Sequence, residues 1–150
     1  MLIERAKPED HDAVAALTQV AYRGYVSLLG REPTPMAQNH KARIAQGEVF
    51  LAISADALCG VIVLENHGSE TLIYSIVVAP EMQGQGVGQR LLRFAEARAR
   101  AKGHVRMRLC TSDKMHRNVR IYLAFGYREV GREDLDLESS PTIVWFIKDL

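Results

Sequence analysis

The chain is poor in cysteine, in long apolar runs and in any surplus of one charge, and each shortage closes a class of function. Cys59 and Cys110 are the two thiols, too few to form a disulfide framework. At 150 residues the chain can bury roughly two thirds of its unfolded surface in one core and needs no such framework. Two packed, reduced thiols of an intracellular protein are therefore expected. No apolar run approaches the roughly 18 residues that cross a bilayer, and "MLIERAKPED" turns charged too early for a secretory leader. A cytoplasmic protein with no membrane partner is the expectation. Nineteen Lys and Arg stand against eighteen Asp and Glu, a net charge of +1. No global field then gathers nucleic acid or anionic lipid, and any anion site must be local. The five histidines, His11, His40, His67, His104 and His116, lie far apart with no thiolate nearby, which predicts no metal site.

What is present is ordinary globular composition, 47% hydrophobic and 25% charged, with no repeat or linker, so one domain over residues 1–150 is expected. "LIERA" reads as a short strand. "KPEDHDAVAALTQVAYRGYVSLL" opens on Pro8, Glu9 and Asp10, which suits a helix N-terminus, and repeats apolar residues at helical spacing until "GREPTP". Met36 to Gln46 reads as a second helix closed by Gly47. Three strands follow, "EVFLAIS", "ALCGVIVLE" and "TLIYSIVVA", and the short links containing Asp56 and Asn66 to Gly68 make them antiparallel neighbours. "VGQRLLRFAEARARAKG" places Val87, Leu91, Phe94 and Ala95 on one helical face and stops at Gly103. "HVRMRLC" alternates as a strand, with Arg106 and Arg108 read as an exposed or paired edge. "MHRNVRIYLAFG" is helical, and "YREVG" and "TIVWFIK" are closing strands around the acidic, exposed stretch "REDLDLESSP". The last strand could pack within the monomer or complete a neighbour's surface, so a homodimer stays open. The sum is an α/β domain with a mixed sheet.

Between the third of those strands and the helix at Val87 stands "VVAPEMQGQGVG", with glycine at 84, 86 and 88. Glycines there let the backbone turn sharply and remove the Cβ atoms that hold a ligand off. Where such a turn enters a helix, unpaired N–H groups and the positive end of the helix dipole point into one space that favours phosphate oxygens. A plain strand-to-helix turn is the alternative. A Walker loop is excluded because Gly88 is followed by Gln89 and Arg90. A dinucleotide fingerprint is excluded because Gln89 stands where its third glycine would be.

Gln83-x-x-Gly86-x-Gly88 after a strand resembles the Q/R-x-x-G-x-G/A signature of the GCN5-related N-acetyltransferase superfamily. The order of elements is similar across nearly all of the chain, and Asn118 and Tyr122 with the turn "FGY" resemble that family's second motif. The resemblance implies a central mixed, mostly antiparallel sheet of about seven strands flanked by about four helices. It also implies acetyl-CoA, with its pyrophosphate on the amides of Gln83, Gly84, Gln85, Gly86, Val87, Gly88 and Gln89. The sheet would open between the strand ending at Val78 and the one at Val105 to Cys110, and the pantetheine arm would bond the backbone of Ile76, Val77 and Val78. Asn118 would hold the cofactor, and Tyr122 would protonate the leaving sulfur. The Val78 N–H would be the oxyanion donor.

Acetyl transfer from a thioester to an amine requires a neutral nucleophile. A lysine-like amine with pKa about 10.4 costs roughly 4 to 5 kcal/mol to deprotonate at pH 7, an α-amine near 7.8 only about 1 kcal/mol. Full proton transfer from a tyrosine to a thiolate is uphill by roughly 2 kcal/mol on the same scale, so Tyr122 contributes a hydrogen bond first and a proton later. No general base declares itself: "TLIYSIVVA" carries Tyr74 and Ser75 at its centre, and Glu65, His67 and Glu70 read as solvated turn residues that are also base candidates. Tyr22 reads as helical packing, while Tyr25, Met36 and Tyr74 are acceptor-pocket candidates. The expected activity is N-acetylation of a primary amine on a small molecule or protein. A CoA-binding sensor without turnover and a general nucleotide-phosphate binder are the competing classes.

Overall fold

The computed structural model describes residues 1–23, 39–134 and 142–150. In chain order these form β1 (Leu2–Arg5), a 3-10 turn (Pro8–Asp10), α1 (His11–Arg23), α2 (His40–Ala45), β2 (Val49–Ser54), β3 (Ala57–His67) and β4 (Glu70–Val78). A second 3-10 turn (Pro80–Met82) leads to α3 (Val87–Ala101), β5 (Arg106–Ser112), α4 (His116–Ala124), β6 (Arg128–Asp134) and β7 (Thr142–Asp149). The seven strands make one sheet in the order β1-β2-β3-β4-β5-β7-β6. All neighbours are antiparallel except β4 and β5.

Several boundaries differ from the expectation for local reasons. The helix beginning at Pro8 winds first as a 3-10 turn, because the Asp10 carboxylate accepts the Lys7 N–H at 2.7 Å and caps it there. The second helix starts at His40, where the Asn39 side chain takes the Ala42 N–H at 3.2 Å. Its expected start at Met36 lies outside the described residues. The link between β2 and β3 is Ala55 and Asp56, both at positive φ (50° and 63°), as a two-residue hairpin turn requires. β6 runs on to Asp134, so the stretch expected to be exposed begins within a strand, where Arg132 and Glu133 are exposed; residues 135–141 of that stretch lie outside the described residues. Strand β7 inserts between β5 and β6, so "TIVWFIK" pairs inside the chain on both sides.

That insertion corrects the edge in the reading of Arg106 and Arg108, while the pairing it allowed is what the structure shows. Strand β5 is internal, and both arginines are paired, Arg106 with Asp149 at 2.9 Å and with Glu70 at 3.6 Å, Arg108 with Glu70 at 3.6 Å. The expectation of two packed thiols holds for Cys59, which is buried, while Cys110 is exposed.

Apolar side chains of β3 alternate between two cores, so the strand is hydrophobic throughout its centre. Ile62 and Leu64 face α3 with Leu91, Leu92, Met107, Leu109 and Phe146, while Val61 and Val63 face α1 and α2 with Val14, Ile44, Leu51 and Val77. Gly60 lets α3 lie close to the sheet: a Cβ there would stand 2.9 Å from the Val77 carbonyl oxygen and 3.0 Å from Leu91 Cδ1. On the α3 side, buried Glu96 meets Lys148 Nζ of β7 at 2.6 Å, and the same ammonium donates to the Phe125 carbonyl at 2.8 Å.

The feature that positions the site is a half-made strand pair. Strands β4 and β5 are matched from Glu70 with Arg106 to Ile73 with Leu109, and no further. On its other side β4 matches Leu64 with Ile73 but Val63 with Ser75, which leaves Tyr74 as an extra residue. Such a bulge bends and twists its strand. Beyond it β4 stays with β3 as far as Val78, β5 stays with β7 as far as Ser112, and the two diverge into a wedge.

Candidate active site

The wedge leads into a cavity of about 320 Å³. One wall is β4 from Ile76 to Val78, one end is the glycine turn with Gln83, Gly84, Gly86, Val87, Gly88 and Gln89, and the opposite wall is α4 with Asn118, Ile121 and Tyr122. Tyr22 and Ala21 of α1 also reach it.

Backbone geometry decides what β4 offers. The Ala79 N–H donates to the Cys59 carbonyl at 2.7 Å, toward β3. Because main-chain groups of successive strand residues point to opposite sides, those of Val77 also face β3. Those of Ile76, and the Val78 N–H, face the open side. An unpaired edge of donors and acceptors in a partly buried wedge is a receptor for an extended, amide-bearing ligand.

The glycine turn supplies a different chemistry. Gly84 and Gly86 sit at φ 80° and 83°, the left-handed region that side chains resist. Gly88 does not: a Cβ there would make only an ordinary contact, 3.7 Å from Val78 Cγ2. Gly86 is the N-cap of α3, and the Arg90 N–H reaches back to its carbonyl at 3.1 Å. The N–H groups of Val87, Gly88 and Gln89 therefore have no acceptor within the helix and sit at its positive end. Gln83 points its amide oxygen at Arg117 Nη1, 2.6 Å away, which ties the turn to α4. Gln85 turns out of the cavity and donates to the Glu81 carbonyl at 3.3 Å.

Helix α4 presents Asn118 and Tyr122 one turn apart on the cavity side. Tyr122 is 6% exposed, its ring 6.1 Å from that of Tyr127 and 6.2 Å from that of Phe146. The turn "FGY" sets this register: the Tyr127 N–H bonds the Tyr122 carbonyl at 3.0 Å and the Gly126 N–H bonds that of Leu123 at 3.1 Å, with Gly126 at φ 96°. This is the Schellman arrangement that ends a helix at glycine.

Other expected site residues fall elsewhere. Tyr74 does not line the cavity; its ring faces α2, with the Arg43 guanidinium 3.9 Å from its centre, and burial raises the pKa of its hydroxyl. Glu65 is held by Arg43 and by His67 at 2.7 Å, and Glu70 by Arg106 and Arg108. These three base candidates lie toward the paired end of β4, roughly 25 Å along the strand from Val78 in the case of Glu70. Tyr25 and Met36 lie outside the described residues. Among the described residues no Asp, Glu or His lines the cavity, and none group as a metal site.

Sequence reasoning missed Arg117 and Ile121, although their spacing with Asn118 and Tyr122 puts all four on adjoining rows of one short helix. It read Tyr22 as helical packing, and Tyr22 both packs against the core and reaches the cavity. Met82, Leu92 and Met115 complete the apolar wall, and nothing in their local pattern distinguishes them from core.

The model of the acetyltransferase (GNAT) family matches residues 13–127. Among curated proteins, N-alpha-acetyltransferase 80 of Mus musculus is 39% identical over 101 residues, 67% of this chain and 26% of that protein, so the chain spans about a quarter of that relative's length. Among solved structures, the PaiA N-acetyltransferase of Thermoplasma acidophilum in complex with coenzyme A superposes with a TM-score of 0.82 at 16% identity, covering 99% of this chain and 98% of that one. The ribosomal-protein-S18-alanine N-acetyltransferase of Escherichia coli gives 0.80 at 16% identity, covering 99% and 92%.

Proposed function

The chain belongs to the acetyltransferase (GNAT) family, and from that premise we propose that it moves the acetyl group of acetyl-CoA onto an amine by direct attack, both reactants being held in the wedge together. The observation that carries this reading is the meeting, in one cavity, of an unpaired strand edge, a turn of amides without helical acceptors, and Tyr122.

The residues suit the coenzyme. A diphosphate matches the N–H groups at the start of α3, the amides of a pantetheine arm match the open groups of Ile76 and Val78, and Leu92, Met115 and Ile121 give its methylenes an apolar wall. Bound acetyl-CoA supplies an acetyl group activated as a thioester. The Val78 N–H donates a hydrogen bond where negative charge gathers on oxygen. Tyr122 holds a proton on its hydroxyl for the departing sulfur, and Asn118 steadies the coenzyme one turn earlier.

The lack of an acid or histidine among the described lining residues bears on the acceptor. Without a base, an amine that is already largely neutral reacts best, and an α-amine costs about 1 kcal/mol to deprotonate at pH 7 against roughly 4 to 5 kcal/mol for a lysine side chain. We therefore read the acceptor as an α-amine, of a protein N-terminus or a small molecule. The mouse relative is by its name an N-alpha-acetyltransferase, in keeping with this.

Release of free thiol from acetyl-CoA tests the reading across a panel of peptides with free α-amines, α-blocked lysine and polyamines. We expect α-amines to be preferred at pH 7, and Tyr122→Phe to lower kcat by about 100-fold or more with little change in the KM for acetyl-CoA. Binding of coenzyme A without release from any amine would instead support a sensor module, the second reading that the missing base favours.

A further inference from the structure

A second cavity, of about 370 Å³, opens between α3 and α4 beside the first. The two share Gln89, Arg117 and Ile121, so one continues into the other around the rim of the glycine turn. Its walls carry three guanidinium groups, Arg93 from α3 and Arg117 and Arg120 from α4, with Phe125 at its far end.

Three observations bear on these arginines. Six other arginines of the described residues find carboxylates, Arg43 with Glu65, Arg98 with Glu48, Arg106 and Arg108 with Glu70, Arg128 with Asp149 and Arg132 with Glu129, while Arg5, Arg23, Arg90 and Arg100 do not. None of the three in the groove has such a pair. Arg117 donates to the neutral Gln83 amide and Arg93 lies over the Phe125 ring at 5.7 Å, contacts that orient a guanidinium without neutralising it. Arg117 also stands in the first turn of α4, where the helix dipole disfavours a cation and where no acidic residue offsets it.

Resting on the coenzyme reading above, we propose that this groove binds the third phosphate of coenzyme A, the 3′-phosphate of its ribose, and that Arg93 and Arg120 make the chain discriminate coenzyme A from 3′-dephospho-coenzyme A. The chemistry is that of a phosphate monoester dianion between planar forks. Each fork can give two parallel N–H donors. The position follows from the shared rim: the diphosphate lies on the turn, and the only other phosphate of the molecule is tethered to the adjoining ribose. Arg117, bonded to the turn itself, links the two anion sites.

Calorimetric titration of the intact protein with the two coenzymes decides the matter without any turnover. Coenzyme A should bind at least about 10-fold more tightly than the 3′-dephospho form, the factor for losing one charge-assisted contact. In the Arg93→Gln/Arg120→Gln variant, coenzyme A affinity should fall to that of the dephospho form, whose own affinity stays within about twofold of wild type. Inorganic phosphate at the same concentration as the coenzyme should not compete. Equal affinity of the wild-type protein for both coenzymes overturns this inference alone. Failure of both to bind overturns the coenzyme reading with it. Loss of affinity for both in the variant would show that the arginines support the fold of the cleft, which also refutes a 3′-phosphate role.

Discussion

Replacing Gly86 and Gly88 separately by alanine asks whether the glycine turn is a device for aiming amides. The two positions are two residues apart in the same motif, yet the structure gives them different duties. At Gly86 the backbone lies at φ 83° and a Cβ would meet nothing within 4 Å. Any cost of Gly86→Ala is then conformational: holding an L-residue in the left-handed region costs roughly 1 to 2 kcal/mol, offset in part by about 0.4 to 1 kcal/mol from the lower entropy of the unfolded chain. A net loss of about 1 kcal/mol in stability is expected. The turn can relieve that strain by rotating φ to a negative value, which swings the following N–H groups off their common target. Losing one charged hydrogen bond of about 1.5 kcal/mol weakens coenzyme A binding by roughly 10-fold. At Gly88 the backbone is helical and a Cβ would touch only Val78 Cγ2 at 3.7 Å, so Gly88→Ala should gain about 0.5 kcal/mol in stability by helix propensity and keep its affinity within about threefold. Urea denaturation reads the stabilities, and isothermal titration with coenzyme A reads the binding. If the two variants behave alike in both measurements, the left-handed turn is not what presents the amides, and the anion-site reasoning fails.

Three further outcomes follow from buried groups and turns. His40 is 7% exposed with neither ring nitrogen bonded among the described residues, and burial, then the nearby His11, holds its pKa below the usual value. The unfolded chain therefore binds the extra proton first, so stability is lost as pH falls below about 6.5; denaturation midpoints between pH 7.5 and 5.5 should drop, and His40→Leu should flatten that dependence. Lys148→Met would strand the Glu96 carboxylate, itself 4% exposed, at a cost of about 3 kcal/mol, and adding Glu96→Leu should recover most of it; a thermal melt in which the double variant is no better than the single one refutes the pairing. Ala55→Asn, at φ 50° in the hairpin turn, should stabilise by about 0.5 kcal/mol, read as a rise in urea midpoint.

What could be read from the residues was whatever is local. The turn at Gly84 to Gly88, the face of α3 and the short antiparallel hairpins all follow from patterns within about fifteen residues, and each appears nearly where its pattern placed it. The insertion of β7 between β5 and β6 could not be read, because strand pairing between Arg106 and Asp149 is invisible to any local periodicity; hence arginines on an internal strand looked like an edge. The bulge at Tyr74 is hidden for another reason. In "LIYSIVV" both cores take apolar side chains, so one inserted residue leaves no break in the alternation, yet it decides that Tyr74 turns to α2 and away from the cavity. Gly60 is similar: its meaning lies in the closeness of Val77 and Leu91, neither of them a sequence neighbour.

The seam between β4 and β5 joins residues Glu70 to Ile73 with Arg106 to Leu109, and past it the two halves of the sheet are joined by α3 and the core beneath it rather than by strand hydrogen bonds. A coenzyme arm laid along Ile76 and Val78 would act as the missing lath between them. Occupancy and rigidity then become one variable. Amide exchange on both sides of the wedge should slow together as coenzyme is added.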